Sequence, residues 1–170
     1  MRTVLRTLSL LLLGLWLGAA IFFSAAVAPG VFAVLREAGL VNASSLAGSI
    51  VARLLATVNR GGFEVAVFLL VMSYFVTQGQ TRVRKAVQMI SLAIMAIMTG
   101  VAHWIVGARL ATLRALMQVP VEQIALTDPR RIEFDRLHRY SVAMLAVAMI
   151  AALIAFLLIA GRPGKPRVVG

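Results

Sequence analysis

The chain contains no cysteine, and only six of its 170 residues are acidic. Without cysteine the protein has no disulfide bond, no thiolate metal site and no cysteine nucleophile. Charged residues make up 14% of the sequence, against about a quarter in a typical soluble domain. This scarcity of charge excludes a water-soluble fold, because a chain of this length could not hide from water the 61% of its residues that are hydrophobic.

The hydrophobic residues are concentrated in long uncharged runs. The first run, Thr7–Leu35, lies between Arg6 and Arg36 and, at about 1.5 Å per helical residue, is longer than a ~30 Å hydrocarbon core requires. The pattern predicts four membrane spans at about residues 4–35, 62–78, 86–108 (its helix extending to 117) and 136–160. A mean hydropathy of +0.95 agrees with an integral membrane protein.

The segment of residues 44–60 has a different pattern from the spans. Leu46, Ile50, Leu54 and Val58 recur every four residues, and serine, threonine and arginine occupy the opposite stripe. This spacing predicts an amphipathic helix with one wet face. The helix either lies separately at the membrane surface or forms the start of the second span, depending on whether Gly61-Gly62 is a hinge or lies within a helix.

Together these segments predict an all-α integral membrane four-helix bundle in a single domain, residues 1–161, followed by a basic tail at 162–170. Pro29 predicts a kink in the first span, because proline removes a backbone donor. Asp128-Pro129 predicts the start of the last helix. If all four helices are continuous, each is longer than the bilayer core. The extensions and the amphipathic segment then project on one side.

The basic residues predict the orientation. Arginine and lysine are dense at both termini and in the Arg82–Lys85 loop, whereas all six acidic residues fall on the opposite side of the predicted topology. The positive-inside rule therefore predicts cytoplasmic termini, in a bacterial inner membrane, with the helix extensions on the non-cytoplasmic side. The net charge of +11 does not indicate nucleic-acid binding, since the basic residues lie at the ends of apolar runs.

Two histidines are the strongest candidates for chemistry. His103 falls within the third span and His138 at the start of the fourth, and Glu64 and Asp135 fall at comparable depth. Ionisable residues inside a membrane usually face a bundle interior or a cavity. We therefore predict a polar pocket formed by these four residues, with Ser24 opposite. The histidines either bind a metal such as copper or a b-type haem, or form hydrogen bonds between helices and at the interface.

Small residues and missing motifs bear on function. Gly14 and Gly18 have the spacing that permits two helices to approach closely, within the bundle or between subunits. The sequence has no Walker loop, no HExxH motif and no nucleophile elbow. We therefore expect no enzymatic activity, with a haem-dependent redox enzyme as the remaining enzymatic alternative, and predict no cofactor unless the histidines bind one.

Two stretches resemble the transmembrane protein 205-like family, whose bacterial members carry a domain of unknown function. The first comprises Gly14-Leu15-Trp16-Leu17-Gly18, Phe22-Phe23, Val27-Ala28-Pro29, Phe32 and Ala47-Gly48. The second is Phe134-Asp135-Arg136-Leu137-His138-Arg139-Tyr140-Ser141, which opens the last span. The resemblance implies a small four-span membrane protein, implies that Pro29 and His138 matter, and implies no reaction.

Two functions follow from the sequence. The first is an accessory or scaffold subunit of a larger membrane complex, or a homo-oligomer, whose partners are other membrane proteins and the lipid bilayer. The alternative is a protein that binds or transports a metal, haem or a small amphiphile through the histidine pocket. Residues at helix contacts, chiefly Gly14, Gly18 and Pro29, support the first, and His103 and His138 support the second.

Overall fold

The computed structural model describes residues 2–40, 42–76, 81–117 and 119–161, and within these ranges the protein is all-α. The tail predicted at 162–170 and the loop residues 77–80 lie outside the described residues. The α-helices are α1 (Arg2–Phe22), α2 (Ala28–Glu37), α3 (Ala43–Val76), α4 (Arg82–Gly100), α5 (Ala108–Met117) and α6 (Pro129–Ala160). A short 3-10 helix, Val121–Gln123, lies between α5 and α6.

Two π-helical turns join helices into longer ones. Phe23–Val27 connects α1 to α2, and Val101–Gly107 connects α4 to α5. The first turn lies where the kink was predicted. The amide of Ala28, the residue directly before Pro29, donates to the carbonyl of Phe23 in π-helical register, and Pro29 has no amide to continue the α-helical pattern.

Four segments of the described chain are long and apolar enough to cross a membrane: Thr3–Glu37, Ala43–Ser73, Arg82–Met117 and Pro129–Ala160. The predicted fold class, an all-α bundle of four long apolar helices, is confirmed. Large hydrophobic side chains also cover the outside of the bundle; Leu15, for example, is 77% exposed. A surface of this kind is stable against lipid and unfavourable in water.

The helices form a closed ring. Helix α1 packs against α3 and α6, and α4 packs against the same two helices from the other side. The core between them combines large side chains, such as Leu13, Leu69 and Met95, with alanines on α6. Small residues on α6 allow its backbone to approach its neighbours, which is how helices associate closely without a hydrophobic driving force.

Helix α3 is continuous through Gly61-Gly62, so these glycines do not form a hinge and the amphipathic segment is the start of the second long helix. Gly62 is a point of close approach. A Cβ at Gly62 would lie 2.6 Å from Nε1 of Trp16 and 2.9 Å from Cγ2 of Thr99. The indole Nε1 of Trp16 donates a hydrogen bond to the Val58 carbonyl at 2.9 Å, which joins α1 to α3.

Two arginines show which helix ends meet. Arg6 donates to the Ala160 carbonyl at 2.7 Å, and Arg84 donates to the Leu158 carbonyl at 2.6 Å. The beginnings of α1 and α4 and the end of α6 therefore lie together, at what we call the termini end. The segments that join α2 to α3 and α5 to α6 lie at the other end, which we call the loop end.

Candidate ligand cavity

A cavity of about 740 Å³ lies at the loop end of the bundle, a volume in the usual range for small-molecule sites. Its walls come from α2, α3, α5, the segment after α5, and α6. Apolar lining residues are Phe32, Val51, Ala52, Leu55, Leu110, Ala115, Val119, Pro120, Val121 and Phe134. Polar and small lining residues are Asn42, Ser44, Ser45, Gly48, Ser49, Arg114, Arg131, Asp135, His138 and Ser141.

On α3 the polar lining residues lie nearer the loop end than the apolar ones. On α3, Ser44 and Ser45 lie at the loop end, whereas Leu55 lies about ten residues, or roughly 15 Å, closer to the centre of the bundle. On α5, Arg114 lies nearer the loop end and Leu110 one turn deeper. The lining of the cavity therefore combines polar and charged side chains with apolar ones, a combination that suits a molecule with a polar head and a hydrocarbon chain.

Ser141 is a polar residue of the cavity that is buried from bulk solvent. It is 3% exposed and lies on α6, one turn beyond Leu137 toward the centre of the bundle. Its hydroxyl forms no hydrogen bond to any part of the chain that the structure describes. A hydroxyl in such a position gains a hydrogen bond when a polar group of a ligand enters the cavity.

The segment between α5 and α6 is held by a buried cluster and by Arg131. Ile124 of this segment packs against Leu113 and Met117 of α5, and Phe134 of α6 packs against the same cluster. Nη1 of Arg131 donates to the carbonyls of Val121 and Ile124, at 2.9 and 2.6 Å. The wall of the cavity formed by this segment is therefore fixed to α6 rather than loosely attached.

Asp128 sets where α6 begins. Its carboxylate accepts a hydrogen bond from the Arg130 amide at 2.8 Å, as the N-cap of a helix does, and also pairs with the Arg130 guanidinium. The hydrogen bond from the Arg130 side chain and that from its amide lower the pKa of Asp128 from 3.8 to about 2. The predicted start at Asp128-Pro129 is therefore the start that the structure has.

Two of the four predicted pocket residues line the cavity at the loop end. His138 and Asp135 line the cavity at the loop end, and Asp135 lies 3.9 Å from Arg131. Glu64 is exposed on α3, where it pairs with Arg60 at 2.9 Å.

His103 lies in the π-helical turn between α4 and α5, with its ring edge-on to Trp104. Its Nδ1 atom is buried and has no hydrogen-bond partner among the described residues. Ser24, expected opposite the pocket, donates to the carbonyl of Ala20 in its own helix. The histidines as ligands of haem or copper stay a prediction; in the described ranges, no three His, Asp or Glu side chains come together as a metal site.

The residues predicted for helix packing differ in their surroundings. A Cβ at Gly14 would meet the Phe156 ring at 3.5 Å, so Gly14 packs within the bundle against α6. A Cβ at Gly18 would meet nothing within 4 Å, so Gly18 faces outward. Pro29 is exposed near the start of α2.

The sequence interpretation missed Arg114, Arg131 and Gly48 as site residues. Arg114 had been noted only as part of the helical pattern that extends the third span. Its cation–π partner, Phe134, is 20 residues further along the chain, with the ring centroid 5.2 Å from the guanidinium carbon. Arg114 could have been found from the sequence as a charged residue on a mostly apolar helix. Such a charge needs a partner of opposite charge or a polar surrounding.

Comparisons with curated proteins and with solved structures found no significant match. A family model matches residues 11–118, which run from within α1 to the end of α5 and include Gly48, His103 and Arg114. The second predicted signature, at 134–141, lies outside the matched residues. Because the match extends over more than half of the chain, the protein belongs to the family described as the domain of unknown function DUF4149.

Proposed function

We propose that the protein binds a small amphiphile in the cavity at the loop end, without catalysing a reaction on it. The observation that carries this proposal is the cavity itself: it is about 740 Å³, and its lining combines polar and charged side chains with apolar ones. This function is the alternative of the two predicted from the sequence. The site differs from the predicted histidine pocket, because the lining of the cavity includes His138 and Asp135 but neither His103 nor Glu64.

We further propose that the membrane is the bacterial inner membrane, with the termini end in the cytoplasm. The supporting observation is that Arg6 and Arg84 lie at the termini end, in keeping with the positive-inside rule. The cavity then opens on the non-cytoplasmic side. The specific likeness to the transmembrane protein 205-like family, the role as an accessory or scaffold subunit and assembly into a homo-oligomer stay predictions.

Filling the cavity tests the proposal. Gly48 lines the cavity, so the aromatic ring of Gly48→Phe would occupy ligand space; Gly18→Phe adds the same ring to the outer surface, where a Cβ meets nothing within 4 Å. We expect native mass spectrometry in mild detergent to detect a one-to-one complex with hexadecyl phosphate or monopalmitoylglycerol. Apparent affinity should fall at least on the order of tenfold in Gly48→Phe, a loss of about 1.4 kcal/mol, and stay unchanged in Gly18→Phe.

Two results would contradict the proposal. One is the absence of a complex with either amphiphile in the unaltered protein. The other is equal binding by the unaltered protein and a folded Gly48→Phe variant, since this would assign the amphiphile to the lipid-facing surface. A circular dichroism spectrum and melting temperature near those of the unaltered protein establish that the variant is folded.

A further inference from the structure

The charges that line the cavity do not cancel. Its lining includes two arginines, Arg114 and Arg131, and one carboxylate, Asp135. Arg131 is well compensated, because Nη1 donates to two backbone carbonyls and Nε lies 3.9 Å from the carboxylate of Asp135. The positive charge that remains is that of Arg114.

Arg114 has few partners in the protein. Its guanidinium carbon lies 5.2 Å from the centroid of the Phe134 ring, and among the described residues it forms neither a hydrogen bond nor an ion pair. The side chain is half-buried, so water satisfies its five donors only in part. A guanidinium in this position lowers its free energy when an anion supplies hydrogen-bond acceptors.

Space for an anion exists beside this guanidinium. A Cβ built on Gly48 would lie 3.6 Å from Nη2 of Arg114, so the glycine leaves open the position that any side chain would fill. Deeper in the cavity, Leu110 lies one turn below Arg114 on the same helix, and Leu55 lies two turns below Gly48 on α3. A head group at Arg114 therefore places an attached hydrocarbon chain beside Leu110 and Leu55.

We infer that the cavity selects amphiphiles with an anionic head, a phosphate or a carboxylate, and that Arg114 is the residue that binds this head. A guanidinium matches both groups, because its planar donors bond to two oxygens at once. The centroid of the Phe134 ring lies 5.2 Å from the guanidinium carbon, and Ser141 offers a hydroxyl further along the cavity. This inference rests on the proposed function and specifies the class of ligand.

Two amphiphiles with the same chain length and different heads test the inference. We expect the unaltered protein to bind hexadecyl phosphate on the order of tenfold more tightly than monopalmitoylglycerol, measured by native mass spectrometry and by tryptophan fluorescence titration. In Arg114→Gln the two affinities should become equal, and in Arg114→Lys the preference should be partly kept. Arg53→Gln is the matched control, since Arg53 is an exposed arginine on α3 outside the cavity lining, and it should keep the full preference.

The outcomes separate this inference from the proposed function. Equal binding of the two amphiphiles by the unaltered protein would overturn the inference and leave the proposed function standing. No binding of either would overturn both. If inorganic phosphate binds as tightly as hexadecyl phosphate, Arg114 remains the anion-binding residue. That result would overturn the inference that the anion is the head of an amphiphile. Because the comparison of amphiphiles uses the unaltered protein, a variant that fails to fold does not remove the test.

Discussion

Trp16 joins α1 to α3 through its indole ring. The ring lies directly against Gly62 of α3 and donates to the Val58 carbonyl, and Thr99 of α4 approaches the same glycine. In a lipid environment such a hydrogen bond and close backbone contact replace the hydrophobic driving force that packs soluble bundles. The glycine at position 62 is therefore required by packing rather than by backbone conformation.

Adjacent glycines allow a matched test of this contact. Gly62→Ala places a methyl group 2.6 Å from Nε1 of Trp16 and should destabilise the bundle by about 1–3 kcal/mol. Gly61→Ala meets nothing within 4 Å and should be neutral or stabilising by up to about 1 kcal/mol, because alanine favours the helix. Unfolding in detergent, followed by circular dichroism, measures both. Equal effects of the two substitutions would contradict the role of Gly62.

Asp128 gives the bundle a predictable dependence on acid. Since its pKa is lowered from 3.8 to about 2 in the folded protein, the unfolded chain binds a proton more readily than the folded one. The stabilising contribution of the carboxylate is therefore present above about pH 4 and is lost as the pH falls toward 2. Comparing melting temperatures of the unaltered protein and Asp128→Asn between pH 5 and pH 2.5 should show an advantage of the unaltered protein that shrinks with acidity. A difference that is constant over this range would contradict the assignment.

At the scale of helices, arginine side chains from two other helices bind the end of α6 and hold the termini end together. The last carbonyls of a helix have no partner within it and carry a partial negative charge. Arg6 and Arg84 come from two other helices and donate to the carbonyls of Ala160 and Leu158. These two arginines thereby close the termini end of the bundle.

Removing one of these donors should loosen the last turn of α6. Arg84→Met keeps an apolar stem but loses the hydrogen bond, worth about 1 kcal/mol, so amide hydrogen exchange near Leu157–Ala160 should accelerate about fivefold. Arg82→Met, at an exposed arginine in the first turn of α4, is the control and should leave this exchange unchanged. Equal acceleration in both variants, or acceleration along the whole of α6, would contradict the capping role.

Helix positions could be predicted from the sequence because they depend on local patterns. Uncharged runs, the Asp128-Pro129 start and the effect of Pro29 each involve neighbouring residues. The course of the chain through Gly61-Gly62 could not be decided, because it depends on Trp16, which is more than forty residues away and needs a site without a Cβ. Local periodicity in the sequence carries no information about contacts between distant segments.

The candidate site was predictable only in part for the same reason. His138 and Asp135 were found because ionisable residues near a span are conspicuous. Arg114 was not, since its importance comes from Phe134 and Gly48, which lie on other helices. His103 and Glu64 were grouped with His138 by depth alone, and depth does not determine which face of a helix a side chain occupies.

At the scale of the whole molecule, the position of the cavity follows from four helices that cross the lipid in alternating directions. The termini end and the cavity then lie on opposite sides of the membrane. The amphiphile would enter from the side of the membrane opposite the termini. If the protein instead lay along one surface, both ends would face the same compartment and the cavity would have no defined side.

Because the chain has no cysteine, single cysteines can report this arrangement directly. Val83, near the start of α4, is 74% exposed at the termini end, and Ala125 is exposed at the loop end. In intact bacterial cells, a membrane-impermeant maleimide should label Ala125→Cys, and should label Val83→Cys only after the membrane is permeabilised. Labelling of both positions in intact cells, or of neither, would contradict the four-span arrangement on which the cavity and its ligand depend.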